Sequence, residues 1–121
     1  MAGKFNETMP IYLQIIEDIK IRIIAGEYKT GDRLPAVRDM ALEYGVNPNT
    51  VQKAFSELER DNLVKSERTN GRYVTIDNEQ IEKMKQEFSD NYIAELFHKM
   101  NEIGIDEKET KKNVKDWEVR H

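Results

Sequence analysis

Polar side chains that can form hydrogen bonds cluster on the outward face of a helix predicted over residues 47–61. They are Asn49, Thr50, Gln52 and Lys53. An Asn or Gln amide donates and accepts in one plane, which matches N6 and N7 of adenine, while a Lys ammonium reaches guanine or a phosphate. A Thr hydroxyl near a helix N-terminus suits a phosphate oxygen. These residue types at this position are typical of a helix that enters the DNA major groove.

Two short helices joined by a glycine turn would position these side chains. The spacing predicts one helix over residues 36–44, closed by Gly45, and a second with Asn47 as N-cap and Pro48 in the first helical position. The predicted buried positions are Val37, Met40 and Ala41 on the first helix and Val51, Ala54, Phe55 and Leu58 on the second. Two amphipathic helices at this spacing form a helix-turn-helix.

An earlier helix and a later β-hairpin flank this pair. The earlier helix opens at Pro10, carries isoleucines four residues apart and stops at Gly26. Two strand-like pieces, residues 63–67 and 72–76, follow the second helix, and Asn70-Gly71 between them is a strong hairpin signal. In the position of a wing, the tip residues Arg68, Asn70 and Arg72 are predicted to contact the DNA backbone or the minor groove.

The residue pattern alone leaves a second interpretation open. A three-helix unit with a hairpin also serves as a packing or protein-binding module, and outward Asn, Thr and Gln are common on ordinary helix surfaces. Because topology by itself transfers function poorly, a winged helix used for protein–protein scaffolding is the alternative to a DNA-binding regulator.

Residues 31–41, GDRLPAVRDMA, resemble the GntR-family signature G-x-x-L-P-S-x-R-x-L-A, and residues 45–51, GVNPNTV, match G-V-[SN]-x-x-T-V. The likeness covers about residues 10–76. The Asn-Pro-Asn-Thr-Val form and the short tail are similar to the YtrA subfamily. The resemblance implies a homodimeric transcription regulator, usually a repressor, that acts on a palindromic operator. It implies DNA contacts by Arg38, by Asn49, Thr50 and Gln52 of the recognition helix, and by Arg68 and Gly71 of the wing over residues 64–76.

Three positions depart from the family pattern. Ala36 replaces the usual serine after Leu-Pro, so the second helix loses an N-cap at a cost of about 1 kcal/mol. Pro48 stands where many members have an arginine that reads bases. In the wing, Thr69 replaces a glycine and places a Cβ at the tip, which argues against close minor-groove entry, while Arg72 is expected to supply a phosphate contact instead.

The chain after residue 76 carries a long apolar stripe on a charged helix. Gly104 ends this helix, and Asp106 with Glu109 resembles a capping box that starts a last short helix. One interpretation is that the stripe packs back on the head. The other, which its length and continuity favour, is a dimer seam. The predicted seam residues are Met84, Phe88, Tyr92, Leu96, Met100 and Trp117.

The residue composition argues against a metal site, a cofactor and an enzymatic activity. The chain has 121 residues and no cysteine, which excludes thiolate metal sites and cysteine nucleophiles. Its two histidines, His98 and His121, are too few for the metal sites of some GntR proteins, so we predict no metal and no cofactor. No nucleophile–base pair or phosphate-cradling loop is recognisable, so we expect no enzyme. No residue set marks a small-molecule effector site, and the existence of an effector stays open.

The charge of the chain is unevenly distributed between its two parts. Residues 1–76 hold 11 Lys/Arg and 11 Asp/Glu, whereas residues 77–121 hold 8 and 12, so the net charge of −4 lies in the tail. The sequence shows neither a signal peptide nor a membrane span, and we expect a soluble cytoplasmic protein. The predicted fold is mainly α with a small β-hairpin wing. It comprises a winged helix-turn-helix head, residues 1–76, and a two-helix dimerisation tail, residues 77–121.

Overall fold

The computed structural model describes residues 5–68 and 71–121, which contain five α-helices and one two-stranded antiparallel sheet. The elements are α1 (Ile11–Ile24), α2 (Val37–Tyr44), α3 (Pro48–Arg60), β1 (Val64–Glu67), β2 (Gly71–Val74), α4 (Asn78–Glu102) and α5 (Glu107–Arg120). This order confirms the predicted mainly α fold with a hairpin wing. The chain divides into two compact units, Met1–Glu82 and Lys83–His121, so the division falls inside α4, a little after the boundary predicted from the sequence.

The core of the first unit forms around α3, which packs against both α1 and α2. The predicted inner residues of α3, namely Val51, Ala54, Phe55 and Leu58, are all buried. They meet the isoleucines of α1, of which Ile15 and Ile19 are fully buried, as four-residue spacing on one helix face requires. The outward face of α3 is therefore the face that carries its polar side chains.

Tyr44 is a core residue that the sequence pattern did not identify. Its side chain at the end of α2 is 1% exposed. The Tyr44 hydroxyl donates a hydrogen bond to Asp18 of α1 at 2.6 Å and accepts one from Arg22 at 3.0 Å. Burial of the ring is possible because its one polar atom has partners.

The termini of the helices follow the local signals, with one exception. Gly45 ends α2 with a positive φ of 70°, and Pro48 is the first residue of α3. Ala36 precedes α2 with no side-chain cap, as the missing serine predicted. The placement of Pro10 inside α1 was wrong, because its ψ of 139° is extended and the helix begins at Ile11 with Pro10 as its N-cap.

The wing sheet is enlarged by a third extended segment. The backbone N–H of Gly31 donates to Val74 (3.0 Å), that of Val74 donates to Asp32 (2.8 Å), and that of Leu34 donates to Arg72 (2.8 Å). Arg33 thereby forms an antiparallel bridge with Tyr73. Residues 31–34 thus run along the free edge of β2.

The second unit contains most of α4 and all of α5. Gly104, with a φ of 82°, follows α4, and Asp106 caps α5 by accepting from the Glu109 N–H at 2.8 Å, as the capping-box pattern predicted. Exposed large apolar side chains occur on both helices and include Tyr92, Leu96 and Trp117. No helix within the described part of the chain is both long enough and apolar enough to cross a membrane.

Candidate nucleic-acid interface

The first two turns of α3 present the predicted base-contacting residues. Asn47 lies just before the helix in an extended conformation, and its Oδ1 accepts a hydrogen bond from the Asn49 N–H at 2.8 Å. Asn49, Gln52 and Lys53 are exposed, whereas Thr50 is half-buried. The helix N-terminus also carries partial positive charge, which favours a phosphate nearby. Asn49, Thr50, Gln52 and Lys53 are therefore held near one end of a helix whose opposite face is buried in the core.

Lys53 has a partner that the sequence did not reveal. Its Nζ lies 3.9 Å from the centroid of the Tyr12 ring on α1. A cation–π contact at an exposed site contributes about 0.5–1 kcal/mol and restricts a flexible side chain. Tyr12 is therefore a positioning residue for Lys53, and it follows α1's N-cap by only two residues.

Arg38 lies on the exposed side of α2. It occupies the second position of the helix, while Met40 and Ala41 bury the opposite face. Within the described residues, the Arg38 guanidinium forms neither an ion pair nor a side-chain hydrogen bond. A rigid helix thus carries an arginine whose donors can meet an external acceptor.

Arg72, which the sequence predicted as a phosphate contact, has its guanidinium turned toward α3 in this structure. Its Nε donates to a carboxylate oxygen of Glu59 on α3, and its Cζ lies 5.1 Å from the Phe55 ring centroid. Ser66 Oγ donates to the same Glu59 oxygen at 2.7 Å. The pair ties both wing strands to the C-terminal half of α3.

The electrostatics of Glu59 reflect this arrangement. Partial burial raises the pKa of its carboxyl, but the hydrogen bonds from Arg72 and Ser66 and the charge of Arg72 outweigh burial, so the pKa is lowered from its ordinary 4.5. The carboxylate therefore stays ionised around neutral pH and holds Arg72 against the helix.

The wing tip itself is only partly described. Arg68 is exposed at the end of β1, and Gly71 begins β2 with a φ of 88°. The predicted contact residue Asn70 and the departing residue Thr69 lie outside the described residues. A Cβ on Gly71 would lie 3.2 Å from Arg33 Nε, so the absence of a side chain at this position leaves room for that guanidinium.

A second charged cluster in the head is structural. The Arg22 guanidinium donates to Glu43 at 3.1 Å, to Glu27 at 2.7 Å and to the Tyr44 hydroxyl at 3.0 Å, and it lies 4.8 Å from the Tyr28 ring centroid. Burial lowers the pKa of Arg22, but these acceptors raise it more and the guanidinium remains charged. Its donors are used inside the protein, so this cluster locks α1 to α2 and to the turn after α1.

Acidic and histidine side chains elsewhere form surface pairs. His98 Nε2 lies 2.9 Å from Glu102, Lys111 lies 3.1 Å from Glu107, and all four side chains are well exposed. Among residues 5–68 and 71–121, no group of three or more His, Asp or Glu side chains is placed to hold a metal ion.

The model for bacterial regulatory proteins of the gntR family matches residues 11–74. Over 117 residues the chain is 34% identical to the uncharacterized HTH-type transcriptional regulator YhcF of Bacillus subtilis (strain 168), covering 97% of each chain. It is 43% identical over 70 residues to the HTH-type transcriptional repressor YtrA of the same organism, covering 58% of this chain and 54% of YtrA. The predicted likeness to YtrA is thus confirmed.

Solved structures give the same result for the fold. A GntR family transcriptional regulator from Listeria monocytogenes has a TM-score of 0.84 at 33% identity, covering 93% of this chain and 98% of that one. The DNA-binding domain of AraR in complex with operator ORR3 has a TM-score of 0.54 at 25% identity, covering 62% and 88%. With the signature, the winged head and the outward polar end of α3 all in agreement, the chain belongs to the gntR family of bacterial transcription regulators, proteins that bind DNA and are not enzymes.

Proposed function

We propose that this chain is a cytoplasmic repressor that binds a palindromic operator as a homodimer. The observation that carries the proposal is the N-terminal half of α3, whose exposed Asn49, Gln52 and Lys53 are held on the packed winged-helix head. Some relatives are named as repressors, YtrA among them, which supports repression rather than activation. When the protein occupies an operator in front of the genes that it controls, its own operon included, transcription of those genes would be repressed.

The proposed contacts divide into reading and anchoring residues. Asn49 and Gln52 pair with adenine edges in the major groove, and Lys53 reaches guanine or a phosphate. Thr50 and Arg38 contact phosphates that set the angle of α3 in the groove. Arg68 and Gly71 of the wing meet the flanking backbone or the minor groove. Each half-site would therefore be read by one head.

The dimer is proposed from the apolar side chains of the second unit. Tyr92 is 52% exposed, Leu96 40% and Trp117 57%, while Phe88 and Met100 are half-buried. Met84, which the sequence placed in the same seam, is only 7% exposed within one chain, so the seam rests on the other five residues. A two-fold dimer would present its two α3 helices to half-sites spaced about 10 bp apart or a multiple.

Dimer avidity matters here because the head is neutral. A protein without a basic surface gains little from general phosphate attraction, so two linked heads supply what one lacks. The operator test is a selection of genomic fragments by the purified protein in moderate salt. We expect an enriched inverted repeat bound by two chains, and return of no enriched palindrome would contradict the regulator and favour the scaffolding alternative.

The first prediction concerns two of the reading and anchoring residues. Arg38→Ala and Gln52→Ala should each weaken binding to the selected operator by about 1–3 kcal/mol, roughly 5- to 150-fold. Gln52→Ala should also relax base preference at one position per half-site, whereas Arg38→Ala should weaken all sequences alike. Fluorescence anisotropy with operator variants measures both effects. Arg60→Ala is the control, since Arg60 is exposed at the far end of α3 and pairs with Glu57. Wild-type affinity in both variants would contradict the contact assignment.

A further inference from the structure

The two faces of the wing sheet have different characters. Val64 pairs with Val74 and Ser66 with Arg72, and these four side chains lie on the face that packs toward α3, where Val64 and Val74 are buried. Side chains alternate between faces along a strand, so the next residues along point to the other face. On that outer face Lys65 pairs with Tyr73.

Residues 31–34 extend the outer face by one more row. Because Arg33 bridges Tyr73 in an antiparallel arrangement, Lys65, Tyr73 and Arg33 stand side by side across three extended segments. Lys65 and Arg33 are exposed, and Tyr73 is half-buried between them. Two cations that flank an aromatic ring therefore occupy one side of the wing.

The Arg33 guanidinium lies over the start of β2. The position of a Cβ on Gly71 is 3.2 Å from Arg33 Nε and 3.3 Å from Nη2, so the guanidinium lies close to the space that a side chain at Gly71 would occupy. Within the described residues, Arg33 has no carboxylate within 4.0 Å and no side-chain hydrogen bond. Of the neighbouring acids, Asp32 accepts from the Lys29 N–H at 2.8 Å, and Glu67 faces Gly71 across the hairpin without forming an ion pair with Arg33.

We infer that Arg33, a residue from outside the hairpin, supplies the wing's main contact with a DNA phosphate, and that Arg72 instead holds the wing on α3. Among residues 5–68 and 71–121, the Arg33 guanidinium has no hydrogen-bond or ion-pair partner, and it lies on the exposed outer face beside Gly71, while the guanidinium of Arg72 is engaged by Glu59. Lys65, on the same face, adds a second positive charge. This inference rests on the proposed function, because it assigns a role within the same DNA-binding head.

The experiment compares Arg33→Gln with Arg60→Gln, which removes the same charge from an exposed arginine on α3. Binding is measured by anisotropy on a mixed-sequence duplex and on the selected operator, each at several salt concentrations. We expect Arg33→Gln to weaken both on the order of tenfold and to lower the slope of log Kd against log salt by about one unit per subunit, with base preference unchanged. Arg60→Gln should leave both quantities unchanged, and Arg33→Lys should restore most of the binding.

The possible outcomes separate the two proposals. If wild type binds DNA and Arg33→Gln matches Arg60→Gln in affinity and salt slope, the inference about Arg33 is wrong while the regulator stands. If wild type binds neither duplex, both proposals fail together.

The variant Arg72→Gln tests the second half of the inference, that Arg72 holds the wing on α3, through the stability of the protein. It should lower the unfolding midpoint of the protein, whereas Arg33→Gln should not. If Arg72→Gln leaves the unfolding midpoint unchanged and lowers the slope of log Kd against log salt, then Arg72 contacts the phosphate and the inference is wrong.

Discussion

At the scale of single residues, the contact between Glu59 and Arg72 links the recognition helix to the wing. The carboxylate receives donors from Arg72 of β2 and Ser66 of β1, and Phe55 covers the guanidinium. An arginine that is charged, stacked and paired at once is held in one orientation more firmly than a free surface pair. One carboxylate therefore connects both wing strands to α3, beside the packing of Val64 and Val74.

The second prediction follows from the lowered pKa of Glu59. A carboxyl whose pKa is lower in the folded state stabilises that state above its unfolded value, and the stabilisation is lost as pH falls through the folded value. Glu59→Gln should therefore cost about 0.5–1 kcal/mol at neutral pH, a figure reduced for solvent screening. The difference from wild type should shrink as the pH falls below 4.5, the ordinary pKa of the carboxyl. Urea unfolding at one fixed protein concentration, at neutral pH and again in acid, measures this difference in stability.

The matched control for this variant is Glu57→Gln, which removes the carboxylate of the pair between Glu57 and the exposed Arg60. Its cost should be close to zero, because exposed pairs contribute little. Equal costs for the two variants, or a Glu59→Gln deficit that persists in acid, would show that Glu59 does not stabilise the wing through its charge.

At the scale of elements, the two helices of the helix-turn-helix begin differently. α3 has a side-chain cap, since Asn47 Oδ1 accepts from the Asn49 N–H at 2.8 Å. α2 begins after Ala36, whose extended backbone is that of an N-cap but whose methyl group accepts nothing. The reading helix is thus fixed at the end that would meet DNA, while the supporting helix begins without that stabilisation.

The third prediction uses this contrast. Asn47→Ala should destabilise the protein by about 1 kcal/mol, because an orphan N–H loses its acceptor. Ala36→Ser should stabilise it by about 0.5–1 kcal/mol, because the backbone at that position already has the cap geometry. Thermal or urea unfolding compares the two at one protein concentration. Shifts of the same sign would mean that the two caps do not act as the geometry indicates.

At the scale of the whole molecule, the two compact units have different cores. The first unit buries a continuous set of side chains from α1, α2, α3 and the wing. In the second, within the described residues, Met84 and Thr110 are the buried side chains, and large apolar groups remain in solvent. Two helices with so little interior leave an apolar surface exposed, and in the proposed homodimer a second copy would cover it.

The fourth prediction tests that surface by a charge placed within it. Leu96→Glu should give monomers in sedimentation velocity, and binding to the palindrome should fall on the order of a hundredfold because avidity is lost. Ala94→Glu is the control, since Ala94 is also exposed but points to the opposite side of α4. A dimeric Leu96→Glu protein would place the seam elsewhere, and a monomeric Ala94→Glu protein would make the effect nonspecific.

Much of this architecture follows from the sequence by itself, because the deciding interactions are local. Three- and four-residue spacing selects the buried face of α3, Asn47 and Pro48 set where it begins, and Gly45 ends α2. These signals depend on residues within one helical turn of each other. The outward position of Asn49, Gln52 and Lys53 follows from the same periodicity, so the exposure of the residues proposed to read bases is specified by the sequence without any tertiary contact.

The tertiary structure alone decided which way the side chains of Arg72 and Arg33 face. Arg72 and Arg33 are both basic and near the hairpin, but a one-residue change in strand register exchanges the two faces of a sheet. The observed pairing of Val64 with Val74 turns Arg72 toward Glu59, and the bridge from Arg33 to Tyr73, between residues distant in the chain, brings Arg33 to the outer face. Local sequence does not specify such long-range partners, because their geometry depends on how strands and helix pack together.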